Sequence, residues 1–309
     1  MSGFTITAGV SFSGGFTFTE APVENTAAWF GGGTGAFSSP LDISTVNRIT
    51  YATDTATASV RGPLSATKYF LAAAGNTTDG WFAGGNYPSV STVQRITYTT
   101  DTATTSIRGP LSYSRWGLAA AGNTTYGWFT GGSNGITTVD RITYATDTTT
   151  ASARGNLTGN PDRSAATGNT TDGWFGGGGL GSTVDRITYA DDTATASVRG
   201  PLSVARGTLA AAGNTTDGWF GGGGDNMSTV DRITFATDTA TASVRGPLNV
   251  GRSAIAAASN STNAWYCGGP GSIASIVQRI TFATDTATAS VRGPLSANVY
   301  KLAGAGGIQ

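Results

Sequence analysis

The feature that most constrains this chain is one phrase written six times. Trp29, Trp81, Trp128, Trp174, Trp219 and Trp265 each open a W-[FY]-x-G-G unit. A loop of varied length follows, then V-x-R-I-T-[YF], a T-D-T or D-D-T turn, and an Ala/Thr/Ser-rich stretch ending in Arg-Gly. The first arginines are Arg48, Arg95, Arg141, Arg186, Arg232 and Arg279, spaced 45 to 47 residues apart; the second are Arg61, Arg108, Arg154, Arg199, Arg245 and Arg292. A period of roughly 40 to 50 residues with several short strands in each copy is the signature of a β-propeller.

Each copy reads as a four-stranded meander. In the fifth, Leu209 to Gly213 is expected as strand A, Gly218 to Gly222 as strand B, Val230 to Ala236 as strand C and Thr239 to Arg245 as strand D. The connections NTTDG and ATDT carry the Asn, Asp, Gly and Thr that tight hairpins need. Strand A is LAAAG in most copies, as expected where strands converge on an axis and only small side chains fit. The first copy lacks a strand A, while Leu302 to Gly307 (LAGAGG) resembles one. The C-terminus is therefore expected to complete the first blade beside residues 27 to 33 and close a six-bladed, all-β ring with no open sheet end. Residues 1 to 23 fall outside the repeat and alternate apolar with polar residues, like a strand that pairs with another chain. The expected division is an N-terminal anchoring arm, 1–23, and a propeller, 24–309.

Composition narrows the function. The 46 glycines and 12% charged residues suit packed strands and turns. Eighteen basic residues balance 18 acidic ones, which speaks against a partner whose phosphates must be neutralised, so no nucleic acid is expected. No apolar run nears the roughly 20 residues of a membrane span, and the N-terminus does not read as a signal peptide. The single cysteine, Cys267, excludes an internal disulfide. There is no histidine, which removes the commonest general base and transition-metal ligand. Neither a catalytic site nor a cofactor nor a metal is expected.

Most of the remaining polar residues are locked to the repeat. The turn aspartates Asp54, Asp101, Asp147, Asp192, Asp238 and Asp285 read as turn formers, the twelve repeat arginines as interblade ion pairs, and the Asn-Thr-Thr triplets at Asn76, Asn123, Asn169 and Asn214 as hairpin turns. Cys267 takes a place held elsewhere by Gly, Ala or Thr, as a small residue in a small space. Six basic residues stand outside the repeat, one per blade: Lys68, Arg115, Arg163, Arg206, Arg252 and Lys301. Arg163 and Lys301 lie two positions further along, which on a strand keeps the same side. They are expected to ring one channel mouth beside Tyr69, Trp116 and Tyr300, at the end carrying the variable B–C loops. Loops held by a rigid scaffold are the usual place of recognition.

The order of variable loop, Arg, hydrophobic strand, Gly pair and Pro-Leu resembles the kelch propellers over residues 24 to 307. The wording WFGGG, TVDRITYATDTATASVRGPLS and LAAAGNTTDG is still more similar to the repeat proteins of marine cyanophages. That resemblance implies a structural virion component, made in the host cytoplasm without a signal peptide and present in multiple copies. Its arm would join other virion proteins, in a capsid decoration or at the tail. A carbohydrate-binding module that recognises a host surface glycan is the alternative expectation, and an intracellular protein-interaction scaffold of the kelch type is a further one.

Overall fold

The computed structural model describes residues 25–35, 42–86, 88–159 and 161–306. They form six four-stranded antiparallel sheets, the blades of a six-bladed β-propeller. The arm expected over residues 1–23 lies outside the described residues.

In blade 5 the strands are Ala210–Gly213, Asp217–Gly221, Val230–Thr234 and Ser243–Val244, from the axis outward. Strand D is shorter than expected from the sequence. A 3-10 turn, Phe235–Thr237, breaks the extended chain after strand C, and the chain rejoins the sheet only at Ser243. Every blade has this turn, so each outer edge offers at most a short ladder; short edge strands blunt edge-to-edge pairing.

Closure is as the sequence leads one to expect. Ala303–Ala305 pairs antiparallel with Ala27–Gly31, with Trp29 opposite Ala305 and Gly31 opposite Ala303. A two-residue ladder adds to it, with Thr34 opposite Tyr300 and Gly35 opposite Val299.

Between blades the repeated phrase acts as a clasp. The Trp29 indole Nε1 donates to Asp101 Oδ2 of the next blade at 2.8 Å; Arg48 and Arg61 reach the same oxygen at 3.1 and 3.4 Å. Trp29 also stacks on Tyr98 of that next blade, with centroids 3.7 Å apart and planes 8° off parallel. All six junctions repeat the indole-to-carboxylate bond. The last joins Trp265, Arg279 and Arg292 of blade 6 to Asp54 of blade 1. The turn aspartates therefore do more than turn the chain: a buried carboxylate accepts hydrogen bonds from one indole and one guanidinium, which are charge-assisted and the stronger kind, and holds a second guanidinium at ion-pair distance. The glycine after each second arginine belongs to the same junction. Gly62 N–H donates to the Asp101 carbonyl at 2.8 Å, and a Cβ on Gly62 would overlap the Ala103 carbonyl.

The apolar core lies in these interblade layers. One layer joins Trp29, Val46 and Leu64 of blade 1 to Phe82, Ile96 and Tyr98 of blade 2. Strand A contributes alanines, which line an axial cavity of about 110 Å³. The Asn-Thr-Thr triplets form hairpin turns; Asn76 Oδ1, for example, accepts from the backbone N–H groups of Thr78 and Asp79 at 2.9 Å each.

Candidate functional site

The D-to-A connections and the variable B–C loops share one end of the disc, and there the basic residues separate into two sets. Counting by the repeat, Lys68, Arg115, Pro161, Arg206, Arg252 and Val299 occupy one position. Phe70, Gly117, Arg163, Thr208, Ala254 and Lys301 occupy another, two residues later.

Members of the first set point into the protein. Arg115, Arg206 and Arg252 are 0, 1 and 0% exposed and Lys68 is 8% exposed, so the expected ring of six exposed cations does not form. Arg115 pairs with buried Asp140 and donates to the Phe129 and Thr138 carbonyls at 3.2 and 2.8 Å. Arg206 pairs with Asp231 at 2.8 Å and donates to the Gly222 and Phe220 carbonyls at 2.8 and 3.1 Å. Arg252 donates to the Gly268 and Ile276 carbonyls at 2.8 and 2.9 Å. Its blade carries Gln278 in place of that aspartate, and burial pushes the guanidinium down to about 10, outweighing an opposing pull from Cys267. These arginines pin each D-to-A connection to the blade it enters, and removing one would orphan a buried carboxylate or several carbonyls.

The second set makes the mouth. Each residue in it has a positive φ, from 51° at Ala254 to 72° at Gly117. Their backbones close a ring of six hydrogen bonds around the axis: Phe70 N–H to Lys301 O, Gly117 to Phe70, Arg163 to Gly117, Thr208 to Arg163, Ala254 to Thr208 and Lys301 to Ala254, all 2.7–2.8 Å. The left-handed conformation turns each N–H and C=O around the ring at a cost of about 1–2 kcal/mol per non-glycine residue. Side chains at these positions are thereby presented at the opening. Of the six expected cations, Arg163 and Lys301 lie here, half-buried, and line the mouth with Phe70 and Thr208.

Lys301 sits among rings. Its Nζ lies 4.9 Å from the Tyr69 centroid, 4.9 Å from Phe70 and 4.7 Å from Tyr300. Phe70 leans on Trp116 at 5.4 Å. Burial lowers the Lys301 pKa, Asp42 pulls it back up and Arg163 pushes it down. The Arg163 guanidinium folds onto Asp162 at 2.9 Å. The result is a cation in an aromatic cage, a geometry suited to stacking on flat or partly apolar ligand faces.

The sequence reading missed Phe70, whose repeat position is that of Lys301. It also gave no sign of a cavity of about 120 Å³ in blade 4, walled by Pro161, Phe175, Gly177, Thr183 and buried Asp185. Cys267 is buried, and burial pushes its thiol up, outweighing the opposite pull of Arg252. Among the described residues no three His, Cys, Asp or Glu side chains converge as a metal site would require. No family model matches this sequence, and no curated protein is significantly similar to it.

Proposed function

We propose that this chain is a non-enzymatic display and recognition module, a rigid disc that presents one asymmetric face to a partner. The observation that carries this reading is the cluster of Tyr69, Phe70, Trp116, Tyr300 and Lys301 on one sector of the mouth. Six near-identical turns at the opposite end offer only a repeated surface, whereas this sector breaks the sixfold pattern and can specify one ligand. The absence of histidine from the sequence and the raised thiol of Cys267 support a role without catalysis.

The setting we assign is a phage particle, with residues 1–23 as the attachment segment and other virion proteins as its partners. This rests on the likeness of the repeat phrase to cyanophage repeat proteins. Carbohydrate recognition is favoured as the activity of the exposed face, because three rings around an ammonium can stack on sugar faces while the cation meets hydroxyl groups. Mass spectrometry of purified particles, with glycan-array binding of the recombinant chain, tests both parts. The chain should be found in the particle, and Trp116→Ala or Lys301→Ala should lower glycan binding with little change in thermal stability. Its absence from particles would overturn the setting, and unchanged binding by both variants would overturn the face.

A further inference from the structure

Three blades show how this fold accommodates a guanidinium, and a fourth has the same cradle without one. In blades 3 and 5 the Arg115 and Arg206 head groups lie between a buried aspartate on strand C and carbonyls of strand B. Register fixes the correspondence: Phe129 stands opposite Asp140, Phe175 opposite Asp185 and Phe220 opposite Asp231. The carbonyls used are those of Phe129 and Phe220, of Gly131, Gly222 and Gly268, and of Thr138 and Ile276. In blade 4 the corresponding residues are Phe175, Gly177 and Thr183. All three line the 120 Å³ cavity, as does Asp185.

The arginine is what blade 4 lacks. Pro161 holds its position, lines the cavity and has no guanidinium to offer it. Asp185 is 4% exposed and keeps two hydrogen bonds, from Thr158 N–H to Oδ2 at 2.9 Å and from the Thr158 hydroxyl to Oδ1 at 2.6 Å. Among the described residues no cationic group pairs with it, whereas Asp140 and Asp231 each have their arginine. A buried carboxylate of that kind is stabilised by a cation. The volume is close to the ~150 Å³ of cavities that admit a six-membered ring, so a planar guanidinium fits. At the lip stands Leu180, 94% exposed, an apolar contact beside the entrance.

We propose that the blade 4 cavity binds a guanidinium supplied from outside the chain, held by Asp185 and the carbonyls of Phe175, Gly177 and Thr183 as Arg115 and Arg206 are held in blades 3 and 5. The guanidinium is either a small free cation or the head of an arginine on a partner protein, with Leu180 packing on its stem. The site is separate from the Lys301 cage, so either can fail alone.

The test is calorimetric titration of the intact protein with methylguanidinium and, separately, with N-acetyl-arginine methylamide. Wild type should bind. Asp185→Asn should bind about tenfold or more weakly, as loss of a charge-assisted contact implies; it should fold, because Asn47 occupies the same position in blade 1. Pro161→Arg should fill the cradle from within, abolish binding and raise the melting temperature. Arg206→Ala, which empties the blade 5 cradle, should gain a second equivalent of probe. Tighter binding of the arginine derivative assigns the site to a protein-borne arginine, and equal binding assigns it to a small cation. Equal uptake by wild type and Asp185→Asn would overturn the proposal, as would no uptake by wild type, whether or not Arg206→Ala binds. A preference for potassium or ammonium over guanidinium would overturn it too.

Discussion

Removing one clasp carboxylate, Asp101→Ala, measures what joins neighbouring blades. Two donors lose their acceptor, the Trp29 indole at 2.8 Å and Arg48 at 3.1 Å, and Arg61 at 3.4 Å loses its ion-pair partner. The indole contributes most. Trp29 is buried, and an orphaned buried donor costs about 1–3 kcal/mol. The arginines are partly exposed, 29 and 19% at the side chain, so each pair is discounted for solvent screening to about 0.5 kcal/mol. The total is roughly 2–4 kcal/mol. At about 2–4 °C per kcal/mol for a domain somewhat smaller than this one, a central loss of ~3 kcal/mol lowers the melting temperature by roughly 6–12 °C. Urea unfolding followed by tryptophan fluorescence reads it directly, because the indole is in the clasp. Asp54→Ala should cost the same, since Trp265, Arg279 and Arg292 reach it in the same geometry across the closure. A loss below about 1 kcal/mol for Asp101→Ala would refute the clasp as a stabilising device. A much smaller loss for Asp54→Ala alone would mean that the ring closes through the Ala303–Ala305 strand and not through the side chains.

Two further outcomes follow from the same geometry. Burial raises the pKa of Tyr98, Tyr144 and Tyr189 above the ordinary value of 10.0. The unfolded chain releases these protons first, so stability is intact below pH 10 and lost as pH rises beyond it. Replacing all three with Phe, the residue found at Phe235 and Phe282, should flatten that fall in a denaturation series from pH 8 to 11; an unchanged slope would contradict the assignment. At the mouth, Ala254 holds φ at 51°. Ala254→Gly should raise stability by about 0.5–1 kcal/mol, as relief of the left-handed cost exceeds the added entropy of glycine. A destabilised variant would show that the ring stores no strain there.

The sequence by itself determined the blade count, the four-strand meander, the closure by the C-terminal strand and the alanine-lined axis. Each follows from a local pattern written six times, and local patterns are legible one copy at a time. It also placed Cys267 and the Asn-Thr-Thr turns correctly. What the turn aspartates bind was not legible, because the partners of Asp54, which are Trp265, Arg279 and Arg292, lie 211 residues away or more. The basic residues show the limit most clearly. Arg115 and Lys301 were set on one face because residues two apart share a side in an extended strand. The connection is not extended at that point: Lys301 and Arg163 lie at φ 60° and 58°, and the left-handed turn sends their side chains to the mouth while Arg115, Arg206 and Arg252 run inward to strand carbonyls. Only the tertiary structure decided which cations are framework and which are surface. It also revealed that blade 4 has the cradle that holds an arginine in blades 3 and 5, with Pro161 at the arginine's position.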